Sequence, residues 1–394
     1  MPTSLSSQCD EILRLSVNRA GGVPGVVAMA TDRNGNFYEG AAGVRELGQA
    51  QAMTADSVML MASCTKAVTG VAAMQLVEEG LLKLSDVAHQ YVPQIADMQV
   101  LDGFESNGEP RLRPPASDIT LNHLMLHTAG FGYEFFSDDL LRYRTFHDIP
   151  SVLSCTRAGL TDVLLHDPGA QWTYGSSIEW LGLVVEAVRG KSLGEVFDEY
   201  IFAPLGISDT AFEMTPAMQT RRATIHQRAG DGQITPVPDL VLPQPAEIQL
   251  GGAALYGTVG DYLKFIRMIL NNGQGENGRL LKAETVEQMA QNGLGSIKSG
   301  AWKSSIPSLA NDGDFFPGIS KSWSYTFQVN DEPAPTGRPA GQLSWAGLAN
   351  SYYWIDRQNG IGGMWGSQIL PFQDAVSYPA SVEFERAVYQ NLKA

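Results

Sequence analysis

Ser63 and Lys66 lie three positions apart in "MASCTKAVTG", Met61 to Gly70, and the chain of 394 residues contains only nine lysines. On a helix, residues three apart project from one face, so the hydroxyl and the amine can meet. A serine hydroxyl becomes a strong nucleophile when a base takes its proton, and a lysine can be that base once burial or neighbouring charge has freed its amine. The local sequence suits this: Ala62, Ala67, Val68, Val71, Ala72 and Ala73 are small or apolar, and no acid occurs between Asp56 and Glu78. With Ser63 in the first turn, the helix start would also set positive potential and a free backbone N–H beside a reacting carbonyl. One Ser-x-x-Lys in a serine-rich chain leaves chance and chemistry both open.

Two further stretches carry chemistry-bearing residues. In "DPGAQWTYGSSIEW", Asp167 to Trp180, Tyr174 follows a loop and precedes a helix start marked by Ser176 or Ser177 with Glu179 in the capping-box position. A tyrosine there can enter a cleft as a phenolic proton shuttle, or merely satisfy its hydroxyl at an interface. In "LSWAGLANSYYWID", Leu343 to Asp356, Trp345-Ala346-Gly347 interrupts a strand with two small residues, which admits a close backbone approach by a ligand or a glycine bulge at a sheet edge.

The elements that must hold these residues follow from periodicity. An apolar run from Val26 to Ala30, the turn signal Asn34-Gly35 and a second run around Phe37 to Gly43 predict a β-hairpin. "SVMLMAS" reads as a third short strand leading into a helix that begins near Ser63 or Cys64 and stops at Gly80. From about 85 to 215 the pattern is mainly helical, clearest in "ITLNHLMLHTAG" and "SSIEWLGLVVEAVRG". After a polar stretch near 225 to 245, "GDYLKFIRMILNNG" gives another helix. Strands then follow at Ser322 to Val329, Gln342 to Leu348 and Ser351 to Ile355, with "RQNG" turning the last into "IGGMWGSQIL". Ile12, Leu13, Leu15 and Val17 mark a short helix near the start, and "PASVEFERAVYQNLKA" is an amphipathic helix near the end. Strands at both ends and helices between them predict an α/β (α+β) fold. One antiparallel sheet would come from residues 1–84 and 216–394, with a mostly helical domain inserted at 85–215 and the active site in the cleft between them.

Composition excludes several functions. A formal net charge of −15 argues against nucleic acid or an anionic membrane surface as a partner, since either would be repelled. No segment approaches the roughly 18 to 20 apolar residues of a membrane span. The opening residues lack the cationic start and apolar run of a secretory signal, so a cytoplasmic location is expected. Cys9, Cys64 and Cys155 form no disulfide or zinc pattern. "GQGENG", Gly273 to Gly278, follows a helix and reads as a turn, while His123 and His127 lack the glutamate of His-Glu-x-x-His. His166-Asp167 has no Gly-x-Ser-x-Gly elbow to serve. No metal or other cofactor is expected.

Taken in order, Ser63-x-x-Lys66, the Tyr174 loop and Trp345-x-Gly347 resemble the serine β-lactamase and penicillin-binding-protein superfamily. Within it they look most like the family VIII carboxylesterases and the lovastatin-type acyltransferases. "LMLHTAGFGY", Leu124 to Tyr133, and "LGGAALYGTVGDYLKF", Leu250 to Phe265, extend the likeness over nearly the whole chain. The resemblance implies that Ser63 is the nucleophile, Lys66 its base and Tyr174 the proton relay to the leaving alkoxide. It also implies an oxyanion hole made by the backbone N–H groups of Ser63 and Leu348.

Two departures set the expected substrate. β-Lactamases generally have Lys-Thr-Gly or His-Thr-Gly where Trp345-Ala346-Gly347 stands, so the group that grips a substrate carboxylate is missing. Ser176 replaces the usual asparagine two residues after the tyrosine. Both favour a small neutral ester as substrate, and hence a carboxylesterase; an acyltransferase or a weak β-lactamase or D-peptidase is the alternative. Tyr133, Phe136 and Tyr256, together with Phe135, Trp172 and Tyr353, are the aromatic residues expected to line the acyl or alcohol site.

Overall fold

The computed structural model describes residues 4–392. The alternating apolar residues of the N- and C-terminal thirds resolve into one seven-stranded antiparallel sheet. Its strands are β1 (Gly25–Asp32), β2 (Asn36–Gly43), β3 (Lys321–Trp323), β4 (Gln328–Asn330), β5 (Gln342–Gly347), β6 (Ser351–Asp356) and β7 (Ile361–Ser367). The order across the sheet is β3-β4-β5-β6-β7-β1-β2, so β1 joins the C-terminal meander to the N-terminal hairpin. The hairpin turn forms where Asn34-Gly35 predicts it, and the Asp32 carboxylate accepts both of their backbone N–H groups.

Helix α1 (Leu5–Asn18) and the last helix, α5 (Ser377–Leu392), pack together on one face of the sheet, where Phe384 meets Tyr38, Trp354 and Trp365. On the opposite face α4 (Val259–Leu270) lies across β1 and β7, and Gly362 leaves room for Ile266. Helix α2 (Thr65–Glu78) is central, with every residue from Thr65 to Leu76 buried. A helix that is apolar all round must be enclosed on all sides. Helix α3 (Ser177–Arg189) packs against it, and Gly190, left-handed at φ 64°, caps its end.

Four expectations need correction. "SVMLMAS" contributes only Met59–Leu60, which pair with Tyr256–Gly257 outside the large sheet. The run Ser322 to Val329 is not one strand: Thr326, at φ 73°, reverses the chain between β3 and β4. The middle region contains a hairpin, Val100–Phe104 with Pro110–Arg113, as well as helices. Within "ITLNHLMLHTAG" the helix covers only Leu121–Met125, because His127 turns left-handed at φ 54°. Among the described residues, no helix is long and apolar enough to cross a membrane.

Candidate active site

The turn that carries Ser63 is tighter than a simple helix start. Ala62–Cys64 form a 3₁₀ turn, and Ala62 itself sits at φ 44°, a conformation that costs a non-glycine residue about 1 to 3 kcal/mol. Its surroundings hold it there. Met61 donates its N–H to the Leu255 carbonyl, and the Met61 carbonyl stands where a side chain on Gly347 would be, 2.3 Å from an ideal Cβ. Glycine at 347 is therefore what lets the end of β5 lie against the serine turn, with Leu348 next in line.

Ser63 is half-buried and Lys66 fully buried. Lys66 Nζ lies 3.2 Å from Ser63 Oγ, 2.9 Å from the Tyr133 hydroxyl and 2.8 Å from the Gly252 carbonyl. All three hydrogen-bonding directions of the amine are occupied. Tyr133 in turn donates to Glu179 Oε1 at 2.6 Å. Burial, with the Glu179 carboxylate beside it, keeps the Tyr133 phenol protonated far above the ordinary tyrosine range. Burial likewise pushes the Glu179 carboxyl up, against the pull of Lys66.

Tyr174 reaches the same centre by its ring. Lys66 Nζ is 4.9 Å from the ring centroid, while the phenolic oxygen accepts the Trp345 indole N–H at 3.1 Å. Trp345 thus spends its only donor on the tyrosine. His127, fully buried, packs 5.0 Å from the Tyr174 ring and 5.2 Å from Trp323, with neither ring nitrogen hydrogen-bonded to protein. Burial, then the nearby Lys66, hold its pKa well below the usual histidine value.

Above Ser63 opens a cavity enclosing about 830 Å³ including its mouth. Its walls include Ser63, Tyr133, Phe136, Tyr174, Trp345, Ala346 and Leu348, and no lysine or arginine is among them. Phe135 joins them, but three expected wall residues do not. Tyr256 is buried behind Leu242, whose N–H its hydroxyl accepts at 3.0 Å. Trp172 backs Tyr174 at 6.3 Å between ring centroids, and Tyr353 packs at a tilt against Tyr262 at 5.1 Å. Ser176 is also off the cavity: it precedes α3, makes no capping bond, and its buried Oγ has no hydrogen-bond partner among the described residues.

The capping-box reading of Glu179 fails for the same reason: its carboxylate turns inward to Tyr133 instead of back to the helix start. Sequence reasoning missed it as a member of the site, although one signal was there. Glu179 is the only charge in the apolar run "SSIEWLGLVV". The His166-Asp167 pair is occupied elsewhere. His166 contacts the Asp167 carbonyl and Thr173, and Asp167 forms a two-pronged pair with Arg113 that holds its carboxyl down at about 2. His123 accepts the Thr120 N–H as part of a helix cap.

The Beta-lactamase family profile matches residues 13–382, nearly the entire chain. The chain belongs to the beta-lactamase family. Its relatives there include Monacolin J acid methylbutanoyltransferase of Aspergillus terreus, 30% identical over 93% of this chain and 92% of that protein. Lovastatin esterase of Penicillium rubens is also 30% identical, over 95% of this chain and 96% of its own. Among solved structures, unliganded simvastatin synthase from Aspergillus terreus superposes with a TM-score of 0.84 at 27% identity, over 100% of both chains. This beta-lactamase family member therefore has the expected fold, and it is a serine enzyme of the class that hydrolyses or transfers acyl groups.

Proposed function

We propose that the protein is a carboxylesterase that hydrolyses short-chain neutral esters through an acyl-Ser63 intermediate. The observation that carries this reading is the 3.2 Å contact between Lys66 Nζ and Ser63 Oγ at the floor of an apolar cavity without a cationic wall. Lys66, as the free amine, takes the Ser63 proton while Oγ attacks the ester carbonyl. The developing oxyanion is received by the Ser63 and Leu348 N–H groups, a role supported by the close approach of Gly347, next to Leu348, to the Met61 carbonyl beside the serine turn. Tyr174 passes a proton to the leaving alkoxide. The Trp345 N–H supports that role by holding the phenolic oxygen in place at 3.1 Å. Water then releases the acid from Ser63.

The catalytic cleft lies, in this reading, between a sheet body of residues 1–84 and 216–394 and a helical insert of residues 85–215. Leu153 and Phe136 from the insert face Leu348 and Phe372 from the body across the cavity, which supports the division. Acyl transfer is the second reading. The cavity opens directly above Ser63, where an alcohol could approach as water does, and one relative is named a methylbutanoyltransferase.

The test is exposure to p-nitrophenyl butyrate, with nitrocefin in parallel and mass spectrometry of the trapped adduct. We expect a butyryl group on Ser63 and no turnover by Ser63→Ala. Full activity in that variant, or an adduct elsewhere, overturns the mechanism, and faster nitrocefin turnover overturns the ester preference. An excess of added alcohol separates the two readings: a new ester product at the expense of acid marks transfer.

A further inference from the structure

Acylation of Ser63 needs Lys66 without its extra proton, and the fold provides an internal place for that proton. Ser63, Lys66, Tyr133 and Glu179 form an unbroken hydrogen-bonded line with steps of 3.2, 2.9 and 2.6 Å. The last three side chains are buried. Tyr133 is the one side chain that hydrogen-bonds Glu179 among the described residues, and the second Glu179 oxygen, Oε2, has no partner among them. A side chain on Gly252 would come within 2.6 Å of both Glu179 oxygens, so glycine there leaves the carboxyl against the backbone whose carbonyl holds Lys66. A buried carboxylate with one oxygen left unpartnered is costly, whereas the neutral acid fits the same setting.

We infer that Glu179 is a positioning residue that takes up, through Tyr133, the proton Lys66 must lose before Ser63 can be deprotonated. In that step an N–H bond of the Lys66 ammonium breaks and its proton bonds to the Tyr133 oxygen. The original Tyr133 O–H proton moves to Glu179 Oε1. Ammonium and carboxylate become amine and carboxylic acid, Tyr133 is unchanged, and the net charge of the group stays at zero. Rotation about the Cε–Nζ bond then turns the freed lone pair from Tyr133 to Ser63.

The other titratable groups facing this line do not compete for the proton. Glu134 accepts from Ser151 and Val152, and its negative charge further disfavours ionised Glu179. Burial pushes the Cys64 and Cys155 thiols up and His127 down, so all three stay neutral. Tyr174 is bonded to Trp345. The upward shift of Glu179 by burial agrees with its holding the proton.

This inference rests on the Ser63–Lys66 reading, and one experiment separates the two. The dependence of kcat/KM on pH for p-nitrophenyl butyrate is measured for the wild type, Glu179→Gln, Tyr133→Phe and Ser63→Ala. Thermal unfolding identifies the variants that fold. With the relay intact, activity appears once the pair as a whole has lost its first proton. Without it the ammonium must lose its proton to solvent with no carboxyl to share the first step, so the midpoint of the acid limb moves alkaline by about one pH unit or more.

The sign of the shift distinguishes the roles open to Glu179. If it were only a fixed negative charge, its removal would ease deprotonation of Lys66 and shift the limb toward acid. If it were only structural, the limb would stay in place while the plateau fell. Either result overturns the relay. If Glu179→Gln does not fold, Tyr133→Phe is read instead: it breaks the line and keeps the carboxylate, so an alkaline shift of the limb supports the relay and an unmoved limb overturns it. An active Ser63→Ala overturns the underlying reading instead.

Discussion

Trp345 places an indole N–H on the Tyr174 oxygen at 3.1 Å, with the two rings 4.8 Å apart at 60°. A lysine or histidine at that position could do the same for the tyrosine and still hold a substrate carboxylate. Tryptophan can do only the first, since its single donor is already used. Trp345→Phe should keep the ring packing and remove the hydrogen bond. We expect kcat for p-nitrophenyl butyrate to fall by about three- to tenfold with KM little changed, the equivalent of one neutral hydrogen bond made in the transition state. Steady-state kinetics check this, and an unchanged kcat would separate Trp345 from the proton relay to the leaving group. The neighbouring Glu179 shows how a residue type misleads when read locally. Three positions after Ser176 it matches a capping box, yet its carboxylate is directed 46 residues away to Tyr133.

Between elements, the decisive contact is the end of β5 against the serine turn. Gly347 meets the Met61 carbonyl, Ala62 is held left-handed, and Ser63 follows directly. Gly347→Ala puts a methyl group 2.3 Å from that carbonyl, so the strand end or the turn must move. We expect stability to drop by about 1 to 3 kcal/mol, as for other overpacking changes. The acylation rate should fall by a larger factor than stability alone explains, because the turn carries both Ser63 and a proposed oxyanion donor. Urea unfolding together with pre-steady-state burst kinetics tests this; an unchanged burst rate would mean that β5 does not set the oxyanion geometry. The Trp-Ala-Gly spacing was legible in the sequence as a close approach, but its partner was not. A ligand and a buried carbonyl make the same demand on a glycine.

The whole chain carries a formal net charge of −15, and among the described residues no lysine or arginine lines the cavity to offset it locally. An anionic ester should therefore be slowed on approach, and the penalty should shrink as salt screens it over a Debye length of about 8 to 10 Å. The kcat/KM of a carboxylate-bearing p-nitrophenyl ester should rise with added sodium chloride, while that of neutral p-nitrophenyl butyrate stays flat. Stopped-flow or plate assays across ionic strength measure both, and a flat profile for the anion would place its discrimination entirely within the pocket. At this scale the order of strands and helices was readable, because each short apolar pattern declares its own period. The division of Ser322 to Val329 into two strands was hidden, since a left-handed threonine at 326 has no signature in the pattern.

The sequence by itself determined what depends on near neighbours: the Asn34-Gly35 hairpin, the apolar helix after Ser63, and the meeting of Ser63 with Lys66 across one helical turn. Those follow from backbone geometry that acts over three or four residues. The tertiary structure alone decided which distant groups surround the lysine. Tyr133, 67 positions on, and the Gly252 carbonyl, 186 positions on, take the remaining hydrogen bonds of Lys66, and Glu179 closes the line. A buried amine must be satisfied by whatever the packing of α2, α3 and the 250–254 segment brings within about 3 Å, and no local pattern encodes that choice.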